Sequence, residues 1–170
     1  MNLAYVTTRF AANAVAIDRF VKHIDIMQAC WKPAPNKWCM LDVICHLYDE
    51  ERFDFRTRLD YTLHRSGQSW PPIDPEGWVS EHGYAEQDIV EMRSLFHRER
   101  EKSIAWLGGL EKPDWSAAYE HPQIGRLTAG DLLASWLAHD YLHIRQLAAL
   151  QYGYLAQLAA PHSLAYAGSW

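Results

Sequence analysis

Apolar residues recur at steps of three and four along four long stretches of the chain, the spacing of one face of an α-helix. The first stretch runs from Asn2 to Ala29 and ends before the prolines of segment 31–35, since proline disfavours helical dihedrals in the residues that precede it. The second runs from about Trp38 to about His64 without an internal proline or glycine. We therefore expect two helices in this half of the chain.

The same spacing returns in the second half. A third helix is expected over 84–107, ending at Gly108-Gly109, where glycine easily adopts the left-handed cap conformation. A fourth is expected over 128–152. Thr128 is a plausible N-cap, and Asp131 follows three residues later, as in a capping box.

Two long connections separate the last three helices. Residues 66–83 are rich in proline and glycine and carry Trp70 and Trp78, which we expect to anchor the loop to the core; the alternative is that they line a ligand pocket. Residues 110–127 form the other connection. Because no segment alternates convincingly between apolar and polar residues, we predict an all-α fold. The chain is then a single domain over 1–170, a four-helix bundle with long crossover connections.

The net charge and the cysteine content argue against several classes of protein. With 16 Lys plus Arg against 21 Asp plus Glu, the net charge of −5 gives no broad positive field for nucleic acid or an anionic membrane. Three cysteines without a Cys-x-x-Cys pair indicate reduced thiols rather than a disulfide framework or a zinc knuckle. No signal-peptide or membrane-span pattern is visible. We expect a cytoplasmic protein that acts on a small molecule.

The fourth predicted helix carries two histidines, His139 and His143, one turn apart on a stripe that also holds Leu132, Trp136 and Leu150. This apolar stripe should face the bundle interior. Two protonated imidazoles there would repel each other, whereas two neutral ones can share a divalent cation. The alternative is that both are ordinary core or groove residues with satisfied hydrogen bonds.

A third ligand is best supplied by His46 on the second helix, which shares a face with Val43, Glu50 and Phe53 beside the apolar stripe of that helix. Glu50 lies one turn further on, where it could orient a ligand or act on bound water. The other six histidines have no comparable partner, and we interpret them as surface or loop residues: His23, His64, His82, His97, His121 and His162.

Taken together, these residues resemble the DinB/YfiT-like superfamily of small four-helix-bundle proteins. Segment 38–50, WCMLDVICHLYDE, is similar to the family's Trp-led helix with a His-Leu pair. Segment 127–147, LTAGDLLASWLAHDYLHIRQL, is similar to its Thr-capped last helix with His-x-x-x-His and a following Gln. The resemblance covers nearly the whole chain. Cys39 departs from the Ser or Thr that often caps the family's helix, which weakens the predicted N-cap.

The resemblance implies a metal site formed by His46, His139 and His143, crossover connections in the bundle and, commonly, a homodimer. The motif His139-Asp140-x-x-His143 also looks like the zincin motif with Asp in place of Glu. No Asp or Glu follows it, and only His162 remains as a downstream ligand, so the sequence gives no support for a peptidase.

Three neutral imidazoles leave a divalent ion such as zinc or nickel an open position, which is typical of catalytic sites. Such an ion lowers the pKa of bound water or of a thiol. The resemblance implies the second use, with a low-molecular-weight thiol such as bacillithiol or mycothiol as co-substrate. We therefore hypothesise a metal-dependent thiol S-transferase acting on small electrophiles.

Two alternatives remain open. One is a metal-dependent hydrolase in which Glu50 or Asp140 serves as the base, although Asp140 lies well off the centre of the histidine face. The other is a non-catalytic protein of the stress response that binds a metal or a small ligand, since a fold and a site do not fix a function.

Overall fold

Four long helices form the body of the protein, whose computed structural model describes residues 2–170. In chain order the helices are α1 (Leu3–Val21), α2 (Ile26–Ala29), α3 (Met40–Asp49), α4 (Phe55–His64), α5 (Trp78–Glu81), α6 (Ile89–Gly108) and α7 (Ala129–Ala159). A π-helical segment, Glu50–Asp54, joins α3 to α4 into one long helix, and single 3₁₀ turns lie at Tyr84–Glu86 and Ala165–Ala167.

The long helices pack as a four-helix bundle, as the sequence predicts. Helix α1 packs against α6 and α7; on the other side, α3 packs mainly against α6 and α4 against α7. Among residues 2–170, no helix combines the length and apolar character that a bilayer span requires.

The core is divided into two apolar clusters, one toward each end of the bundle. The Trp136 cluster consists of Val6, Phe10, Leu59, Trp70, Leu107, Ala129, Leu132, Leu133 and Trp136. The Phe96 cluster draws instead on the ends of α1 and α7 and the starts of α3 and α6, with Ile17, Val21, Met40, Ile44, Ile89, Met92, Phe96, Leu147 and Leu150 among its members. Helices α1 and α7 therefore run in one direction, and α3–α4 and α6 run in the other.

Connection 65–88 is the crossover that this arrangement requires. Helix α4 ends at the Trp136 cluster and α6 begins at the Phe96 cluster, so the connection travels the length of the bundle. Trp70 is buried in the first cluster and Trp78 in the second, with 8% and 7% of their surface exposed. Both tryptophans anchor the connection, as expected.

Connection 109–128 stays at one end of the bundle and contains a hairpin that the sequence does not reveal. Strands β1 (Ala118–His121) and β2 (Gly125–Thr128) pair antiparallel, with Ala118 opposite Thr128 and His121 opposite Gly125. Each strand has four residues, too few to show an alternating pattern. Tyr119 stacks on Trp70 at 4.1 Å between ring centroids, which fixes the hairpin to the bundle.

The N-terminal half departs from the predicted bounds in two places. The first helix stops at Val21 rather than Ala29, because the chain turns at His23, where φ is +66°, and restarts at α2 with Asp25 as N-cap. The second helix begins at Met40, and the backbone N–H of Cys39 donates to the Asp42 carboxylate over 2.9 Å. The backbone N–H of Asp42 in turn contacts the Cys39 side chain, so a capping box forms without a Ser or Thr.

The C-terminal half departs from its predicted bounds as well. Helix α6 begins after its N-cap Asp88. Its C-cap residue, Gly109, has φ −86° and ψ −6°, which is a right-handed conformation, so the predicted left-handed cap is wrong. Thr128 and Asp131 form the predicted capping box of α7. That helix continues past Tyr152 to Ala159. Gly153 lies inside it against the Trp31 ring, where a Cβ atom would come within 2.8 Å of the indole.

The three cysteines are free thiols, as predicted. Cys39 and Cys45 are buried, and Cys30 is exposed. Burial raises the pKa of the Cys39 thiol to about 11 and raises that of Cys45 further. Neither buried thiol is therefore a reactive thiolate at neutral pH.

A belt of buried polar side chains separates the two apolar clusters. At its centre Arg100 on α6 donates from Nη1 and Nη2 to the two carboxylate oxygens of Asp140 on α7, each over 2.7 Å. Its Nη2 atom also lies 2.7 Å from Oε1 of Glu51 in the π-helical segment. Trp136 donates its indole N–H to the same Glu51 oxygen, and Asn13 of α1 donates to Asp140. All four long helices meet in this network.

We expect the substitution Arg100→Met to lower the free energy of unfolding by about 3–5 kcal/mol, because it leaves Asp140 and Glu51 as buried carboxylates without their cation. Urea denaturation, monitored by circular dichroism, measures this change. Lys102→Met is the matched control, since this exposed lysine on the same helix pairs with Glu99 and should contribute less than about 1 kcal/mol. Equal losses in the two variants would contradict a central role for Arg100.

Candidate metal centre

The three histidines singled out by the sequence converge within the polar belt. The Nε2 atom of His139 lies 3.3 Å from Nε2 of His46 and 3.0 Å from Nε2 of His143. One nitrogen from each ring lies within 4.8 Å of the other two. His46 and His143 are buried and His139 is half-buried, so the cluster sits at the edge of the core.

Two helices and two aromatic rings hold these imidazoles in place. His139 and His143 are one turn apart on α7, and His46 projects from α3. Trp38 packs on His46, with 4.8 Å between ring centroids, and lies parallel to His143 at 6.5 Å. Phe55 packs on His139 at 5.1 Å. The aromatic contacts restrict the rings to orientations in which their nitrogens face one another.

The outer nitrogens of two rings face side-chain oxygens. Nδ1 of His143 lies 2.9 Å from Oε1 of Gln146, so the ring donates its Nδ1–H and keeps the Nε2 lone pair free. Nδ1 of His46 lies 3.8 Å from Oε1 of Glu50, which is too long for a hydrogen bond. Both contacts lie on the side of the ring away from the cluster, where the groups that orient metal-ligating imidazoles are found.

The spacing of the nitrogens fits a divalent ion. Imidazole nitrogens about 2.0–2.1 Å from zinc are separated by about 3.3–3.4 Å in a tetrahedron and by about 2.8–3.0 Å at adjacent octahedral positions. Two of the three separations, 3.0 and 3.3 Å, fall in this range, and the third is within 4.8 Å. Three nitrogen lone pairs this close repel one another unless a proton or a cation lies between them.

Burial keeps the three imidazoles neutral. It lowers the pKa of His46 to about 3, with a smaller contribution from the neighbouring His143. Burial also lowers the pKa of His139 to about 2, and His143, His46 and Arg100 add to the effect. The pKa of His143 is lowered by burial as well, opposed in part by Gln146 and Asp140. Their lone pairs are therefore available at neutral pH.

The two acids considered as bases lie outside the cluster. Glu50 is buried, burial together with Asp54 raises its pKa, and its closest approach to the cluster is 3.8 Å from the outer nitrogen of His46. Asp140 is bound by Arg100 and Asn13. In the described chain, residues 2–170, the potential metal ligands that converge are the three histidines alone.

An open cavity of about 770 Å³ adjoins the cluster. Its lining consists of His139, Leu142, His143, Arg145, Gln146, Ala149 and Trp170. Within residues 2–170, no carboxylate side chain belongs to this lining. Trp170 also stacks on Tyr152 of α7, with 4.7 Å between centroids, so the aromatic tail packs on the bundle.

One histidine outside the cluster has a buried partner that the sequence does not reveal. His82 lies on the crossover connection, as interpreted, and its Nδ1 lies 2.7 Å from Oδ2 of Asp49. The two residues are 33 positions apart across the crossover connection, so no helical spacing links them. The partner of His64, Asp60, is by contrast four residues away, at the usual spacing of a surface pair on one helix.

Comparisons with known proteins agree with this fold. The model of the DinB superfamily matches residues 10–147. YfiT from Bacillus subtilis, described as "a probable metal-dependent hydrolase with an unusual four-helix bundle topology", has a structure similar to that of this chain. The TM-score is 0.78 at 16% identity, over 88% of this chain and 86% of that chain. A comparison with curated proteins gives no match. At this identity, the similarity to YfiT shows a shared fold.

The neutral histidines should make the metal-free protein less stable in mild acid. Because their pKa values are lower in the folded protein than the usual 6.5, the unfolded chain binds more protons below that pH, and the free energy of unfolding falls as the pH decreases. The decrease is at most about 1.4 kcal/mol per pH unit for each histidine. Urea denaturation of chelator-treated protein between about pH 6.5 and 5 measures it.

Two substitutions test whether His46 contributes to that pH dependence of stability. We expect His46→Gln to reduce the slope of stability against pH, whereas His162→Gln, at an exposed position, should leave it unchanged. A His46→Gln protein with the slope of the unsubstituted chain would show that His46 is not held neutral by burial.

Proposed function

The chain belongs to the DinB superfamily, and on this premise we propose that it binds one divalent metal ion through His46, His139 and His143. The observation that carries the proposal is the convergence of three neutral imidazole nitrogens within 4.8 Å. Imidazole ligands favour zinc or nickel over magnesium or calcium, which prefer oxygen ligands. Three protein ligands and an adjoining cavity are the arrangement of a catalytic site with an open position.

We further propose that the protein is a metal-dependent thiol S-transferase acting on small electrophiles. When bound, the ion supplies Lewis acidity, which lowers the pKa of a thiol in contact with it. The cavity lining supports this reaction over one that needs a side-chain carboxylate as general base, because within residues 2–170 it includes no Asp or Glu side chain. A thiol co-substrate brings its own nucleophile.

The protein's own residues would act by binding and orientation. Trp38, Phe55 and Gln146 hold the imidazoles, and Leu142, Ala149 and Trp170 form an apolar wall for the electrophile. With an aromatic chloride as electrophile, the thiol sulfur forms a bond to the carbon that carries chlorine. The carbon–chlorine bond breaks, chloride leaves with the bonding electrons, and the thiol proton passes to solvent.

Metal-dependent hydrolysis is the second candidate. It is favoured by the description of YfiT, whose fold this chain shares, as a probable metal-dependent hydrolase. Glu50 is the carboxyl group nearest to a proposed ligand, but it contacts the outer nitrogen of His46, and burial raises its pKa, which disfavours the carboxylate form. A hydrolase would thus have to activate water without a carboxylate side chain in the cavity lining.

We also propose a cytoplasmic homodimer with neither nucleic acid nor a membrane as partner. The net charge of −5 and the free thiols support this setting. Exposed apolar side chains on one face of α7 offer a surface for a second copy of the chain: Tyr141, Leu155 and Leu158.

Purified protein should contain about one zinc or nickel ion per chain, bound by imidazoles. Elemental analysis measures the content, and the double variant His139→Ala, His143→Ala should lose it because a single imidazole remains. The matched control replaces two exposed histidines, His64→Ala and His162→Ala, and should retain the metal. An undiminished content in the first variant would contradict the ligand assignment.

The metal-loaded protein should accelerate conjugation of a thiol to a reactive aromatic chloride, and His46→Ala should abolish that acceleration while the helices remain folded by circular dichroism. Bacillithiol, mycothiol, glutathione and coenzyme A form the panel of thiols, and released chloride or product absorbance gives the rate. If no thiol gives a metal-dependent rate, an ester panel tests hydrolysis next. Inactivity in both panels would leave a binding role.

A further inference from the structure

A second cluster of buried titratable side chains lies outside the metal centre, where α3 meets the crossover connection. Asp49 at the end of α3 is buried, and its Oδ2 accepts hydrogen bonds from Nδ1 of His82 over 2.7 Å and from the hydroxyl of Tyr84 over 2.8 Å. A buried carboxylate is stabilised by such donors. The proposed function uses none of these three residues.

Gly83 allows both donors to reach the same carboxylate. Its φ of +56° is in the left-handed region, so the chain reverses between His82 and Tyr84 and places both side chains on Asp49. A Cβ atom at this position would also lie 2.9 Å from Oε2 of Glu86. The left-handed conformation of Gly83 therefore allows His82 to pack against Asp49 at the end of α3.

The His82 ring is held in a fixed orientation but remains partly open to solvent. It stacks nearly parallel on Trp78, with 5.9 Å between centroids and a 13° angle, and contacts Phe53 at 5.8 Å. About a third of its side chain is exposed. Because Nδ1–H is donated to Asp49, Nε2 is the nitrogen left for a ligand.

The guanidinium of Arg52 is positioned without a hydrogen bond to any group within residues 2–170. Its guanidinium carbon lies 4.3 Å from the centroid of Phe53 and 4.6 Å from that of Tyr48, so the group is held by two aromatic faces. Its closest carboxylate oxygen in residues 2–170 is Asp49 Oδ1 at 3.8 Å, beyond hydrogen-bonding range. The guanidinium fork is thus oriented and free to bind an anion.

A cavity of about 250 Å³ joins these groups. It is lined by Asp49, Arg52, His82, Tyr84 and Gln87, and by apolar surface from Tyr48, Phe53, Met92 and Leu95. No residue of this lining belongs to the cavity beside the metal centre. At about 30 Å³ per water molecule, it has room for roughly eight waters, or for a molecule the size of benzoate.

We propose that this cavity binds a small carboxylate with an apolar body, independently of the metal. The planar fork of Arg52 matches the two oxygens of a carboxylate, and Nε2 of His82 adds a second polar contact. The Oδ2 atom of Asp49 already accepts hydrogen bonds from two donors. A cationic ligand would be repelled by the Arg52 guanidinium. The apolar wall favours a ligand with a ring or a short alkyl chain over an inorganic anion.

Calorimetric titration of the full-length protein with benzoate tests the proposal, with benzamide as the neutral analogue of the same shape. We expect Arg52→Gln to weaken benzoate binding by at least about tenfold, as the loss of a charge-assisted pair does, and benzamide to bind at least about tenfold more weakly than benzoate. His82→Phe keeps a ring against Trp78 and should also weaken binding.

Two controls locate the site. Arg65→Gln removes an arginine that is likewise stacked on a tyrosine, Tyr61, and should leave benzoate affinity unchanged. The double variant His139→Ala, His143→Ala should also bind benzoate normally, so the result does not depend on the proposed metal or reaction. Arg52→Lys, which keeps the charge and loses the fork, should give an intermediate affinity if Arg52→Gln does not fold.

Three results would overturn the proposal. Equal affinity for benzamide and benzoate would show that the carboxylate is not recognised. Loss of binding in the double histidine variant, but not in Arg52→Gln, would place the carboxylate at the metal centre. Absence of heat and of saturable binding up to about 10 mM benzoate would show that the cavity does not take this ligand class, since weaker binding corresponds to less than about 3 kcal/mol.

Discussion

One buried cation, Arg100, fixes how the four long helices meet. Its guanidinium holds Asp140 of α7 with two hydrogen bonds and lies equally close to Glu51 of the π-helical segment. Two carboxylates and an arginine in the core are tolerable only when they are paired, so α6, α7 and the π segment have little freedom to slide past one another. Because Asp140 follows His139 directly, the Arg100 network also fixes the position of His139 and His143 along the bundle axis.

The same belt explains why the histidines remain available as ligands. The nearby acids are either paired with Arg100 or, like Glu50, have a pKa that burial and Asp54 raise, which disfavours a carboxylate that would hold an imidazole as a cation. Burial then lowers the histidine pKa values and leaves neutral nitrogens facing one another. The apolar clusters on either side exclude water, and the cavity beside His139 and His143 gives access from one side. The charged Arg100 network and the three neutral imidazoles thus lie side by side in the polar belt.

Much of this site was predictable from the sequence, because its signals are local. The four-residue spacing of His139 and His143 on an apolar stripe indicates the pair, and the segment around His46 resembles the matching helix of the superfamily. Contacts between distant segments gave no such signal: Glu51 of the π-helical segment meets Arg100 of α6, and the bond between His82 and Asp49 spans the crossover connection. The hairpin strands are too short for a periodic pattern, and a single left-handed residue, His23, ends the first helix early.

We propose that three imidazoles, and no thiolate, form the first coordination shell of a bound ion. X-ray absorption spectroscopy of the zinc-loaded protein distinguishes the two kinds of ligand, since zinc–nitrogen distances of about 2.0–2.1 Å differ from zinc–sulfur distances of about 2.3 Å. We expect a first shell of nitrogen and oxygen atoms only, with the outer-shell scattering of three imidazole rings. A sulfur atom in the first shell, or scattering from fewer than two imidazoles, would contradict a centre built from His46, His139 and His143.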